Sequence, residues 1–511
     1  MRIMLLIFLL LFSTCLQSAS GDLIWSYKTG NFNYGTPYVV DGVLYVGSGD
    51  HKIYALNALT GSLIWSYETD GMIHAGCIVD NGILFIGSFD RNMYAMNAST
   101  GSPIWAYPTR DAIRSTPAVS NGIVYFGSAD NSIYAVDVET GNQIWEYETD
   151  YDVTSSPVCY NSTVYNGSWD GNIYAINASN GQLKWKYLTT DWIISGATIY
   201  DSVVYFGCDD GFVYALNSSN GGFRWRYETK NRINSSPATS DSTVFIGSND
   251  SYFYAIDTVT GQLKWKANLS YPVYLSSAGI SDGYAYIGCS GKTLYALNKH
   301  DGKIMWQYKT TGEIFSSIFC HDSKVYFSSK DQYIYCLDAT VLNLLVPNGG
   351  EIWEAGSTQE IKWDASANYN DFKIEYTTDA GNSWIYIANV TGVKNHLWTV
   401  PQTPSDACLM KITSGSTIEQ SDNFFTIYST VGFKEKNFSS SIPLKTVISP
   451  NPFNRQLYFR SSDSARIYSL TGQLIKILKP GNYNIDTSSW KPGVYIFKSL
   501  NYTKRMIKIS S

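Results

Sequence analysis

With 511 residues, of which 44% are hydrophobic, 16% charged and 15% aromatic, the chain is too long for one core and too apolar for a disordered tail. Charged residues fall well below the usual quarter while Tyr alone reaches 40; aromatics suit half-buried pleated surfaces, which excludes a helical bundle and points to β-structure. The net charge of −6 hides an asymmetry, because 13 Lys and Arg stand against 3 Asp and Glu after residue 430, leaving 24 against 40 before it. The last segment is therefore a separate basic unit.

In chain order, Arg2 precedes an apolar run from Ile3 to Phe12, and the small, polar stretch Gln17-Ser18-Ala19-Ser20 follows. This predicts a secretory signal peptide over residues 1–20. A lipid-anchored start at Cys15 is the lesser alternative, since bulky Phe12 and Thr14 stand where small residues and a Leu are expected. The run is about half the length of a bilayer crossing, and no stretch of about 18 apolar residues follows, so no transmembrane segment is predicted. Seven cysteines remain after Cys15, at Cys77, Cys159, Cys208, Cys289, Cys320, Cys336 and Cys408. An odd, dispersed set is not a disulfide framework, and five histidines without metal-ligand spacing predict no metal site.

Self-similarity dominates from Asp22 to Thr340. Tryptophans recur at Trp25, Trp65, Trp105, Trp145, Trp185, Trp225, Trp265 and Trp306, with six intervals of 40 and a last one of 41. Between them run four short apolar segments separated by three turns. Asp41-Gly42, Asn81-Gly82 and Asn121-Gly122 mark the first turn as a tight hairpin. Asx residues mark the second (Asp50, Asp90, Asp130, Asp170, Asp210, Asp250, Asp331) and Thr-Gly or Asn-Gly the third. Each copy is thus a four-stranded antiparallel meander, which buries its two faces only against neighbours arranged radially. The prediction is an all-β chain opening with an eight-bladed β-propeller over residues 21–340. No Thr-Gly-x-x-x-Trp follows Cys336-Leu337-Asp338, so the orphan strand Leu23 to Tyr27 is expected to complete blade eight. The repeated Asx carboxylates are read as turn residues rather than calcium ligands, and the eight tryptophans as interblade packing.

The grammar Tyr-Ala-Leu-Asn-x-x-Thr-Gly-x-x-x-Trp, as at Tyr54 to Trp65, resembles the tryptophan-docking repeat of pyrroloquinoline-quinone (PQQ) propellers. That resemblance covers about 320 residues. It implies the propeller fold and admits both quinoprotein alcohol dehydrogenases and non-catalytic members such as the outer-membrane assembly lipoprotein, so fold alone does not decide function. The dehydrogenases hold calcium with carboxylate and amide ligands, use a catalytic Asp and carry an adjacent cysteine pair over the quinone. No adjacent cysteine pair exists here, and seven of the eight copies leave no room for long loops over a site. Gly279-Ile-Ser-Asp-Gly283 fits a nucleophile-elbow pattern, but in register it is a hairpin, not the strand-to-helix turn that motif needs.

Residues 341–428 show alternating runs such as Phe372 to Tyr376 and Leu409 to Ile412, enough for about seven strands of a small β-sandwich. Its opening, Val346 to Ser357, with Ile361-Lys-Trp363 and Leu397 to Pro401, resembles an immunoglobulin-like or fibronectin-like module, implying a spacer or accessory role. Thr377 to Trp384 resembles a single sialidase Asp-box and is read as a hairpin turn. A polar linker, 429–442, leads to residues 443–511, where Ser449-Pro-Asn-Pro-Phe-Asn454, Ile467 to Ile475 and Lys491 to Lys498 resemble a type IX secretion, type A C-terminal sorting domain. This implies a small β-domain, export by the type IX machinery across a bacterial outer membrane, removal of the domain, and a secreted or cell-surface protein. Basic charge spread along strands without a basic helix does not point to nucleic acid.

Positions that packing does not fix are free to serve recognition. Register places the loop before each innermost strand and the second turn on one face of the ring. There the copies gather Tyr34, His74, Arg114, Trp169, Trp192, Arg232 and Tyr274, read as a ligand site around the channel mouth. The expected function is a non-catalytic, cofactor-free propeller binding a peptide, protein or glycan. A quinone-dependent oxidoreductase using PQQ with calcium, or a purely structural scaffold, is the alternative.

Overall fold

The computed structural model describes residues 21–428, apart from 282, 340–341, 366–368 and 416, and seven strands between Val447 and Lys508. The signal peptide and the linker expected at 429–442 lie outside the described residues. Two compact units are present, the first running through Asn343 and including Asp364–Tyr369, the second made of Leu344–Trp363 and the chain from Asn370.

Hairpin chemistry decides the first unit. A two-residue turn that matches strand twist needs φ > 0, and Asp41 (49°) with Gly42 (74°) or Asn161 (45°) with Ser162 (54°) supply it. Thirty-two strands from Leu23 to Asp338 form eight four-stranded antiparallel sheets. Blade one runs through Tyr38–Val40, Val43–Gly47, Lys52–Asn57 and Leu63–Glu68, innermost to outermost; each later blade repeats it about 40 residues on. The innermost strands begin at Tyr38, Ala118, Val158, Thr198, Ala238, Gly279 and Phe319, and one position earlier at Cys77 in blade two. Tyr34 and its counterparts therefore sit in the extended approach to the strand, not at its first residue.

Blade eight closes the ring. Its own chain supplies Phe319–His321, Lys324–Ser328 and Tyr333–Asp338, and Leu23–Lys28 adds the outer strand, Trp25 facing Cys336 and Tyr27 facing Ile334. Cys320 and Cys336 lie on its first and third strands, and all seven described cysteines are free.

Each sheet buries its second and third strands against its neighbours; the core between blades one and two, for example, joins Tyr45, Ile53 and Ala55 to Ile73, Leu84 and Met96. Two devices bring the sheets together. Gly47 must lack a side chain, since a Cβ there would stand 2.1 Å from Ile73 of the next blade. The docking tryptophan is the other: seven of the eight donate Nε1–H to a carbonyl in the following blade at 2.8–3.1 Å, from Trp25 to Ala58 through Trp265 to Lys299. The ring lies flat on the glycine of the third turn, where a Cβ on Gly61 would be 2.6 Å from the Trp25 indole. Trp306 is the exception. It would dock on a third turn that blade eight lacks; Gly21 covers it instead, and its buried Nε1 has no partner. Between blades eight and one the apolar device is replaced by a polar one: Ser328 stands where glycine is otherwise found and Asn33 where Ile73 and its equivalents stand. Ser328 Oγ donates to the Gly35 carbonyl at 2.7 Å and Asn33 Nδ2 to Thr29 Oγ1 at 3.0 Å.

After the ring come nine strands between Leu342 and Tyr428, two more than the alternating runs suggested, in a three-stranded and a six-stranded sheet. The sheets meet through Trp363 against Phe372 and Trp398 against Tyr376, at 5.2 and 4.9 Å between ring centroids. The Asp-box segment is a hairpin turn: Asp379 accepts hydrogen bonds from Thr377 and Ser383, which pull its carboxyl down to about 2. The sorting segment forms one three-stranded and one four-stranded antiparallel sheet.

Candidate functional site

The face carrying the candidate residues is built by eight equivalent backbone clasps. In each copy an N–H of the second turn donates to a carbonyl of the loop that precedes the innermost strand, as Gly49 to Phe32, Phe89 to Met72, Trp169 to Asp152, Asp209 to Trp192 and Asn249 to Arg232, at 2.9–3.0 Å. The opposite face is closed by Ala58 donating to Gly42 and its equivalents, so loop and second turn do share one face. The second-turn carboxylates are consumed by the frame. Asp50 Oδ1 accepts from the Lys52 N–H, while Oδ2 accepts from the Tyr54 hydroxyl at 2.7 Å and the Gly30 N–H at 2.6 Å.

The structure divides the seven predicted residues into two arcs. In the first, rings touch in sequence across blades seven, eight, one and two: Tyr274 on Phe315 (5.5 Å), Phe315 on Tyr34 (5.7 Å), Tyr34 on His74 (4.4 Å) and His74 on Phe89 (4.5 Å), with the Arg114 guanidinium 5.1 Å above Phe89. Lys330 lies 4.9 Å over Phe315 and pairs with Glu313. Burial, helped by the Arg114 charge, pushes His74 down to about 4, so the imidazole is neutral at ordinary pH. These rings are largely spent on one another.

The second arc spans blades four to six. Trp169 and Trp192 stack at 4.7 Å with 14° between their planes, and Trp169 Nε1 donates to Thr154 Oγ1 at 2.7 Å. Trp192 stays 40% exposed. Beside it, Asp209 is a buried carboxylate whose Oδ2 lies 3.4 Å from Arg232, while Oδ1 accepts from Asn234, itself an acceptor for Asn249. Desolvation outweighs the Arg232 charge and raises the Asp209 carboxyl to about 6. A cleft of about 760 Å³ opens here, lined by Asp209, Asp210, Gly211 and residues 228–232. Gly211 (φ 85°) occupies a left-handed position that His51, Arg91 and Asn131 fill with side chains in blades one to three.

The raised Asp209 carboxyl has a measurable sign. A carboxyl with a folded-state pKa above its unfolded one favours folding when protonated, so its cost appears as pH rises from about 4 to about 6. Asp209→Asn is therefore expected to gain melting temperature relative to wild type across pH 4 to 6 and to level off above. A difference that stays flat with pH contradicts the assignment.

Sequence reasoning missed a hydroxyl belt. The segments leading into the innermost strands of neighbouring blades approach one another around the axis, and their N–H groups donate to the next blade's hydroxyl: Gly76 to Thr116, Thr116 to Ser156, Gly196 to Ser236, Ser236 to Ser277, Ser277 to Ser317 and Ser317 to Thr36, at 2.8–3.3 Å. The belt skips the two steps at which Gly76 and Gly196 stand in the hydroxyl position. Ser or Thr recurring at one place in the repeat was the available signal. Gly279 to Gly283 is a hairpin between Gly279–Ile280 and Tyr284–Cys289, with Asp282 outside the described residues, so the elbow pattern has no elbow.

Four overlapping segments, 13–76, 70–192, 189–339 and 272–362, match the family described as outer membrane protein assembly factor BamB. Residues 447–509 match the secretion system C-terminal sorting domain. No curated protein matches the chain. Among solved structures, BamB from Moraxella catarrhalis aligns with a TM-score of 0.56 and 18% identity, over 62% of this chain and 99% of that one. The computationally designed Ika8 protein aligns at 0.57 and 17%, over 62% and 100%. The quinohemoprotein alcohol dehydrogenase ADHIIG from Pseudomonas putida HK5 aligns at 0.52 and 17%, over 62% and 76%. At such identities these likenesses show the propeller fold alone.

Proposed function

Because the chain belongs to the family of outer membrane protein assembly factor BamB, we propose that its propeller is a non-catalytic binding module, taking a peptide or glycan ligand at the clasped face around the channel mouth. The C-terminal sorting domain marks the chain for export to the cell surface or beyond, through the secretion machinery that reads such domains. Removal of that domain after export is part of the proposal. The observation that carries the reading is a contrast within the repeat. Docking Trp, third-turn Gly and second-turn Asp are held nearly constant by packing, whereas the residues paired across each clasp differ from blade to blade and concentrate aromatic and charged groups on one face. A scaffold alone would not require that concentration.

The oxidoreductase alternative lacks an adjacent cysteine pair in this chain. Among the described residues no three or more His, Cys, Asp or Glu are placed to share a metal ion, and the second-turn carboxylates already serve hydroxyls and N–H groups of the frame.

The test is a screen of the full-length protein against immobilised peptides and oligosaccharides, followed by variants. Trp192→Ala and Arg232→Ala are expected to weaken binding by about 2 kcal/mol, roughly thirtyfold, as for central interface anchors. Glu139→Ala, at an exposed third turn on the other face, should leave it unchanged. If Glu139→Ala abolishes binding and the mouth variants do not, the site is on the wrong face.

A further inference from the structure

Resting on the assignment of the mouth as the binding face, we propose that the arc of blades four to six is a subsite for a pyranose ring of a neutral glycan. Trp192 is its stacking platform, Arg232 its exposed hydrogen-bond donor and Asp209 the positioning residue behind Arg232.

Three observations converge on this chemistry. The first is shape. Two indoles only 14° from parallel, one of them anchored through Thr154, stack at 4.7 Å and leave Trp192 40% exposed. A rigid, flat apolar surface flanked by polar groups suits the C–H face of a sugar, which is apolar across the ring and hydroxylated at its edge. The second is polarity. The adjoining cleft is lined by Asp209, Asp210, Glu228, Thr229, Lys230 and Arg232 among its members, with no apolar recess in which a peptide side chain would bury as an anchor. A sugar brings hydroxyls that such a lining satisfies; a peptide's apolar side chain does not. The third is charge. Arg232 keeps 57% of its side chain exposed while Asp209, 1% exposed, fixes and neutralises it. A guanidinium has five N–H donors, so several remain for ligand oxygens. With Asp210 and Glu228 beside it, the cleft gives an anionic ring no net attraction.

The clasp joins these parts, since the Asp209 N–H donates to the Trp192 carbonyl at 2.9 Å. Platform and positioning carboxylate thus belong to one backbone unit. Gly211 leaves the approach open. Tyr274 is comparably exposed at 39% but packs on Phe315, whereas Trp192 stands beside the Asp209–Arg232 pair.

The probes are cellohexaose, mannohexaose, xylohexaose and chitohexaose, titrated into the full-length protein by calorimetry and tryptophan fluorescence, with a hexagalacturonate and a random dodecapeptide pool alongside. At least one neutral hexasaccharide is expected to bind and perturb the fluorescence. Trp192→Ala should weaken it at least about tenfold, while Trp192→Phe, which keeps a flat ring, stays within about threefold. Trp192 is exposed at the surface, so circular dichroism and melting of its variants should match wild type, whereas Arg232→Ala leaves the buried Asp209 carboxylate unpaired and is compared at pH 5, below the raised Asp209 value of about 6, with circular dichroism as the check of folding. Asp209→Asn should weaken binding less than Arg232→Ala, as expected of a group acting through another. If peptides bind in a Trp192-dependent way and no neutral sugar does, the glycan assignment falls while the mouth reading stands. If a sugar binds and Trp192→Ala leaves it intact, the platform is wrong. If that sugar is lost on Glu139→Ala, both readings fall.

Discussion

Trp145→Ala is expected to destabilise the propeller by about 3–5 kcal/mol, the range for deleting a buried tryptophan. The indole is 6% exposed, sits between Tyr125 at 5.8 Å and Gly181 of the following blade, and donates Nε1–H to the Ala178 carbonyl at 2.8 Å. Its loss opens a cavity at a joint between two sheets and leaves a buried carbonyl with one donor fewer, since Tyr125 also donates there. The same change at Trp306 should cost less, because that indole has no acceptor for its N–H and its covering glycine comes from the other end of the chain. Urea unfolding of both variants, read in the same buffer, measures the difference. Equal losses would mean that the hydrogen bond and the third turn contribute nothing to docking; a loss under about 1 kcal/mol at Trp145 would remove docking as the joint's main device.

Deleting Asp22 to Thr29 is expected to lower the melting temperature of the whole ring, by more than any single docking substitution. The deletion removes a five-pair ladder against Tyr333–Asp338, the buried Trp25 and its bond to Ala58, and exposes an unpaired strand edge. It also uncovers Cys336. Burial now pushes that thiol up to about 12 and shields it, so the truncated protein should be labelled there by a thiol reagent under conditions in which the intact protein is not. An unchanged melting temperature together with an unlabelled Cys336 would show that the N-terminal strand is not what closes blade eight.

The ring was legible in the chain because its joints are written in residues with one physical purpose. A Trp every 40 residues, a Gly at the third turn and an Asx at the second name the docking surface, its partner and its hairpin. Even the closure could be read, from one outer strand too many at the start and one too few at the end. What could not be read was how the variable residues meet. Tyr34 and Trp192 occupy equivalent loops and look alike as candidates, yet Tyr34 is packed between His74 and Phe315 while Trp192 faces outward from Trp169. That distinction depends on contacts between blades, which no single copy encodes. The same holds for Asp209, an Asp among many in the sequence, but buried and opposite an arginine from the neighbouring blade. The sandwich has two strands more than the reading counted, and strands as short as Ile352–Glu354 and Thr417–Gln420 give alternation little length in which to show.

The way the ring is closed also decides how it bears load. In a propeller whose last strand lies outermost, a pull on the C-terminal end would peel that strand from a single neighbour, one pair at a time. Here the chain leaves the ring from Tyr333–Asp338, which has Lys324–Ser328 on one side and Leu23–Lys28 on the other. Traction arriving from the domains that follow is shared by two ladders at once, and the strand outermost in the blade is the one to which no such tether is attached. With the sorting domain downstream of the ring, that puts the point of any pull from the C-terminal side at the interior of a sheet rather than at its frayed margin.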